Sequence, residues 1–297
     1  LRNVTLTTGG SQDGFAGTED ALANGFDNMN GLVGTTSSDV LKGVDIFNTW
    51  FMTAANTGNI SGLFSFSSIE RLIGGTAGDI LNFSGYGSTR KVILTNAGIE
   101  GWAGTENALD AGFDNFNGVV GSGEIDDTLV GISIANVWNI LNKNAGNIGG
   151  GFTFNSIEHL TGGSDSDVID FSAYGSGRSV TLKSVGLDGF AGIEDSLSSG
   201  FDNMNSLVGT TAYGDALEGA NITNIWNITN NNVGNISNLF PFTSIESLIG
   251  GNEEDTFILA DGVGVSGTIN GGAGGANTLD YSAFSSVNPV IVNLVLG

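Results

Sequence analysis

The sequence predicts an all-β chain, wound as a parallel β-solenoid and built from 88-residue repeats of about four coils each. Three observations lead there. Val4-Thr-Leu-Thr, Val92-Ile-Leu-Thr and Val180-Thr-Leu-Lys lie 88 residues apart, and the register persists at Trp50, Trp138 and Trp226 and at the Ser-Ile-Glu triplets ending at Glu70, Glu158 and Glu246. Apolar residues alternate with polar ones in short runs such as Asn224-Ile-Trp-Asn-Ile228 and Asp167-Val-Ile-Asp-Phe171, the period of two that marks strands. These runs are separated by Gly, Asn, Asp and Ser, with 49 Gly and only 2 Pro in 297 residues, and no stretch is long enough for a helix between strands. Repeats of this kind stack, each covering the hydrophobic face of the next.

Taken in order, the first unit covers residues 1–91, the second 92–179 and the third 180–289, with 290–297 starting a fourth as one continuous solenoid. The third unit is 22 residues longer. Aligning Asp170-Phe-Ser-Ala-Tyr174 with Asp280-Tyr-Ser-Ala-Phe284 puts the extra material between Asp255 and Asp280, around Val265–Asn270. An insertion that leaves the later register intact is one whole turn, so four coils of 22 fill each unit. Phe15, Trp102 and Phe190, together with the Trp50 series, are expected in the interior.

Composition narrows the classes. Hydrophobic residues make up 40% of the chain and the mean hydropathy is +0.14, enough for a substantial core. The formal charge is −23, and the cations Arg2, Lys42, Arg71, Arg90, Lys91, Lys143, Arg178 and Lys183 read as scattered, with no basic stripe for nucleic acid. Such acidity serves solubility, cation neutralisation, or both. There is no Cys, hence no disulfide or thiolate metal site, and no apolar run near the roughly 18 residues of a membrane span. The opening Leu1-Arg2-Asn3 and the closing Val290-Ile-Val-Asn-Leu294, which restarts the first strand motif, read as a piece of something longer.

The strongest local motif is Gly-Gly-x-x-x-Asp before an apolar strand. It occurs from Gly74 to Asp79, from Gly162 to Asp167, and from Gly250-Gly251 to Asp255. At these residues the chain resembles the RTX-type calcium repeats. Strings such as Ser-Ile-Glu-x-Leu-x-Gly-Gly, Gly-Thr-Ile-Asn-Gly-Gly-Ala-Gly and Leu-Asp-Tyr-Ser-Ala-Phe resemble the repeats of very large secreted bacterial surface proteins, haemagglutinin-like and adhesin-like exoproteins among them. The resemblance implies an extracellular or bacterial cell-surface location. It also implies calcium as cofactor, held by glycine carbonyls and carboxylates at coil corners. The ligand residues would be Gly74 and Asp79; Gly162, Asp165 and Asp167; and Gly250, Gly251, Glu253 and Asp255, with Asn277 from the inserted coil and Asp261 and Asp280 as helpers. Where the RTX repeat has a fourth-position Gly this chain has Ala77, Asp165 or Glu253, and its motifs lie 88 residues apart, so no dense ion ladder is expected. The alternative is that these Asp residues close turns at the corners.

Other features point away from catalysis. Asp13-Gly-Phe-Ala-Gly-Thr-Glu-Asp20, Glu100-Gly-Trp-Ala-Gly-Thr-Glu-Asn107 and Asp188-Gly-Phe-Ala-Gly-Ile-Glu-Asp195 place two acids about a glycosidase's reach apart, but repetition favours solvated corners. In the Phe-Asp-Asn triplets starting at Phe26, Phe113 and Phe201, Phe should face inward and Asp-Asn shape a turn. His159 is the only imidazole and reads as an exposed strand residue. No nucleophile elbow, phosphate loop or zinc pair occurs, so no enzyme is expected. The expectation is a structural or adhesive segment, a stiff rod whose partners are neighbouring repeats, other copies of itself, surface glycans or other cells. The alternatives are a self-assembling filament, sheath or S-layer-like subunit and, from a different class, a polysaccharide-processing β-helix enzyme.

Overall fold

A computed structural model describes residues 1–186 and 188–291; the fourth-unit strand expected at Val290–Leu294 therefore lies largely outside the described residues. All regular structure among the described residues is β, in short strands that build two sheets of stacked parallel coils. The fold is a β-solenoid. By contact density the chain divides into two compact units: residues 1–138, 142–165 and 196–199, and residues 139–141, 166–195 and 200–297.

In the first unit the parallel ladder of one sheet runs Val4↔Leu41↔Leu72↔Phe113 and again Val92↔Leu129↔Leu160. The other sheet pairs Gly31 with Ser65, Trp50 with Leu81, and Leu81 with Val119. The second unit repeats this scheme, with Val180↔Leu217↔Leu248 in one sheet and Trp226↔Phe257 in the other. There the extra segment adds a parallel strand to each sheet, since Leu248 pairs with Ile269 and Phe257 with Leu279.

Only these last steps are near 22 residues. Elsewhere parallel partners lie 31 to 41 residues apart, so the coil is longer than the one expected and a unit holds fewer than four. The cause is antiparallel. Lys91–Ala97, Trp102–Glu106 and Leu109–Phe116 form a three-stranded meander within one sheet, and Asn48–Ala54, Thr57–Ile60 and Phe64–Ser67 form another in the second sheet. A left-handed Asn56 at φ 53° serves the turn from Asn48–Ala54 to Thr57–Ile60, and Asn144 at φ 53° serves its counterpart between Val137–Asn142 and Ala145–Ile148.

In each unit an apolar filling lies between the sheets. Trp50, Trp138 and Trp226 are fully buried, as are Leu41, Leu72, Leu81 and Phe83. Trp50 packs edge-on against Phe116, and Trp226 stacks on Phe257 at 5.3 Å. Phe15 and Phe190 are buried as expected, whereas Trp102 stays half-exposed beside Phe152.

Candidate functional site: the buried carboxylate corners

In the coils before the inserted one, the chain passes between the sheets at corners that carry a buried Asp. Six such residues, Asp39, Asp79, Asp127, Asp167, Asp215 and Asp255, are at most 1% exposed, and they form two series with 88-residue spacing. Desolvating a carboxylate is costly, so each must be met by donors.

In the series Asp39, Asp127, Asp215 the donors are main-chain amides, joined at Asp127 and Asp215 by the hydroxyls of Ser122 and Thr210. Oδ1 accepts from the N–H of Arg2 (2.6 Å) and of Arg178 (2.6 Å) at Asp39 and Asp215, and from Arg90 N at Asp127. Oδ2 accepts from the amide four or five residues earlier: Thr35, Ser122 or Thr210. The Asp N–H in turn donates to a glutamate of the next coil: Asp39 to Glu70 Oε2 at 2.7 Å, Asp127 to Glu158 Oε2 at 3.1 Å, Asp215 to Glu246 Oε2 at 2.8 Å. These glutamates end the Ser-Ile-Glu triplets. Their other oxygen accepts from the left-handed Asn56, Asn144 and Asn232 of the hairpin turns. A polar chain thus links successive coils through side chains as well as through the ladders.

The series from the Gly-Gly-x-x-x-Asp motif is built similarly. Asp79 Oδ2 accepts from Gly75 N (2.7 Å) and Oδ1 from Trp50 Nε1 (3.1 Å), while its N–H donates to Asn117 Oδ1 (3.0 Å). Asp167 N donates to Asn205 Oδ1 and Asp255 N to Asn277 Oδ1, at 2.8 and 2.9 Å. Asp255 Oδ1 accepts from Asn224 N and Nδ2, while Oδ2 is buried without a hydrogen-bond partner. Burial raises the pKa of Asp79 and Asp255 against these hydrogen bonds, and Glu253 adds to the rise at Asp255.

The glycines of the motif have a steric task. A Cβ on Gly74 would stand 2.1 Å from Asn115 O and 2.8 Å from Asp79 Oδ2, and one on Gly250 2.3 Å from Asp255 Oδ2 and 2.4 Å from Gly271 O. Gly34 and Gly121, at the other series of corners, face the same conflict with Ser68 O and Ser156 O. Close approach of the next coil's carbonyl therefore selects glycine.

For the calcium expectation, the structure does bring Asp255 and Asn277 together, 22 residues apart in sequence, through a main-chain hydrogen bond. Gly162 and Gly251 are buried beside their aspartates, while Asp165 and Glu253 face solvent. Calcium takes six to eight oxygen ligands. The Asp79 carboxylate instead meets two N–H groups, so the donor set there does not fit the ion. No group of three or more acidic or imidazole side chains placed to hold a metal occurs among the described residues.

Two features escaped the sequence reading. Arg2, Arg90 and Arg178 are not scattered but recur every 88 residues, and each meets the glutamate of the Gly-x-Ala-Gly-x-Glu turn: Glu19 at 3.2 Å, Glu106 at 3.4 Å, and Glu194. Glu106 and Glu194 are buried rather than solvated, and burial raises the Glu106 pKa while Arg90 opposes the rise. Arg90 and Arg178 also lie over the rings of Tyr86 and Tyr174, at 4.1 and 4.3 Å. The common interval was the available signal. His159, expected to be exposed, is half-buried with Nδ1 2.9 Å from Ser199 O. No protein family, curated protein or solved structure matched the chain in the comparisons.

Proposed function

We propose that this chain is a structural repeat segment of an extracellular bacterial surface protein, serving as a stiff spacer that holds its form without a ligand. One observation carries this: the buried carboxylates recur at every repeat and are used to tie one coil to the next. Asp39 to Glu70 to Asn56 is one such chain, and its counterparts at Asp127 and Asp215 are spaced by the repeat. An active site needs a constellation present once and supported by its neighbours, and here the acids recur. Both carboxylate oxygens of Asp39, Asp79, Asp127 and Asp215 accept from N–H groups, so calcium is not required at those corners on this proposal. The resemblance to haemagglutinin-like and adhesin-like repeats supplies the location. Antibody raised against the chain should label intact source cells; labelling only after lysis would overturn the surface assignment, and hydrolysis of a glycan abolished by one acidic substitution would overturn the structural one.

A further inference from the structure

Among the described residues the first sheet has a free edge at Phe26–Met29 and the second at Gly31–Val33, and these edges expose side chains whose repeats elsewhere are covered. Met29 is 48% exposed, whereas its counterparts Phe116 and Met204 are at 0%. Leu22 is likewise 48% exposed, against 2% for Leu109 and 1% for Leu197. What covers the counterparts is visible in the same molecule. Arg71–Ile73 pairs in parallel with Leu109–Phe116, and Asp79–Asn82 with Gly118–Val120. The amides join in: Ala111 N donates to Glu70 O, Gly74 N to Asp114 O and Asn117 N to Asp79 O, at 2.8 to 2.9 Å.

The other two edges that are free among the described residues belong to a coil of that covering type. Ile269–Asn270 and Thr278–Asp280 end the two sheets, following Leu248 and Phe257 as the inserted coil. Gly271-Gly272 leads to Asn277 as Gly74-Gly75 leads to Asp79, with one more residue between them. Leu279 is 46% exposed although its counterparts Leu81 and Ile169 are at 0%. One pair of edges thus lacks the cover that the other pair has the form to give.

We propose that the edges Phe26–Met29 and Gly31–Val33 bind the edges Ile269–Asn270 and Thr278–Asp280 of a second copy of this chain, by parallel strand addition in the register of the internal junction. That register opposes Ile269 to Phe26, Asn270 to Asp27 and Leu279 to Leu32. Two different patches meet, so the contact is heterologous and propagates from copy to copy. The net charge of −23 opposes association, and salt relieves it. The inference needs only the repeat architecture and stands apart from the surface location proposed above.

The test is molar mass by sedimentation equilibrium of the full 297-residue chain in about 1 M NaCl, where the screening length falls to about 3 Å. Over about 1–300 µM, a span suited to a micromolar Kd, the mass should climb above the 30.3 kDa of one chain. Met29→Lys and Leu279→Lys each place a charge that is exposed in the single chain but buried at the junction. Each variant should keep the parent circular dichroism melt and stay at one chain mass. Mixed in equal amounts they retain one competent edge each and should form a dimer and nothing larger. A wild-type mass that stays at 30.3 kDa, which would leave cover by a preceding coil of the same chain, overturns the proposal. So does continued association of either single variant, or a mixture that forms no dimer.

Discussion

Trp50 Nε1 donates to Asp79 Oδ1 across 3.1 Å, and neither residue has any surface open to water. The same carboxylate holds Gly75 N through its other oxygen, so one side chain fixes both the core tryptophan and the corner. Asp79→Ala should cost about 1–3 kcal/mol for each of the two donors left unmade. Asp79→Asn, which keeps one acceptor oxygen, should lose less. Urea unfolding of the two variants checks the order.

Burial raises the pKa of Asp79, Glu106, Glu158 and Asp255, so the native state binds their protons more tightly than the unfolded chain does. Protonation therefore favours the fold. The contribution is greatest below the unfolded carboxylate values near about 4, and it fades as pH rises through the higher native values. Asp27, Asp261 and Asp280 act oppositely: hydrogen bonds from Ser11, Asn288 and Ser282 lower their pKa, and what they add is lost as pH falls through those lowered values. The melting temperature should thus rise as pH falls from neutrality through the raised native values toward the unfolded carboxylate range near about 4, and fall again as pH drops through the lowered ones. A melting temperature that declines steadily as pH is lowered from neutrality to about 4 would count against the raised carboxyls.

Arg90 and Glu106 form a largely enclosed pair, their side chains 10% and 0% exposed. Removing one partner of a buried pair strands the other's charge at a cost of about 3–5 kcal/mol, while replacing both by apolar residues is often neutral. Arg90→Met and Glu106→Leu should each destabilise strongly, and the double variant should recover most of the loss. A double-mutant cycle in urea measures it.

Gly74→Ala drives a methyl group against the Asn115 carbonyl and should cost about 1–3 kcal/mol. Gly85, whose Cβ would meet nothing within 4 Å, is the control: its alanine variant should melt within about 1 °C of the parent.

Because N–H groups meet both Asp79 oxygens, chelator should leave the melting temperature within about 1 °C. A fall of several degrees, reversed by added calcium, would place an ion in the fold after all.

The solenoid was legible because alternation, turn residues and a fixed interval all favour it. The number of coils was not. Period-two alternation is the same for a strand that stacks in parallel and for one that folds back, so Trp102–Glu106 and Thr57–Ile60 gave no sign of running antiparallel. The Gly-Gly-x-x-x-Asp corners were found, and the open alternative of turn closure describes Asp79. Their partners were harder to see. Glu70 lies 31 residues from Asp39 and Asn117 lies 38 from Asp79, separations that local motifs cannot reveal without the true coil length. Arg90 and Glu106 could have been paired on recurrence alone, but glutamate beside a Gly-rich turn ordinarily signals solvent.

The meanders have a consequence for how the molecule could be divided. Leu109–Phe116 lies beside Arg71–Ile73, while Lys91–Ala97, earlier in the chain, pairs onward to Thr128–Val130. Moving along that sheet, one therefore meets residue 113 before residue 92. A protease nick at the sequence boundary near Lys91 would leave the two fragments joined along one ladder in each sheet, Arg71–Ile73 against Leu109–Phe116 and Asp79–Asn82 against Gly118–Val120.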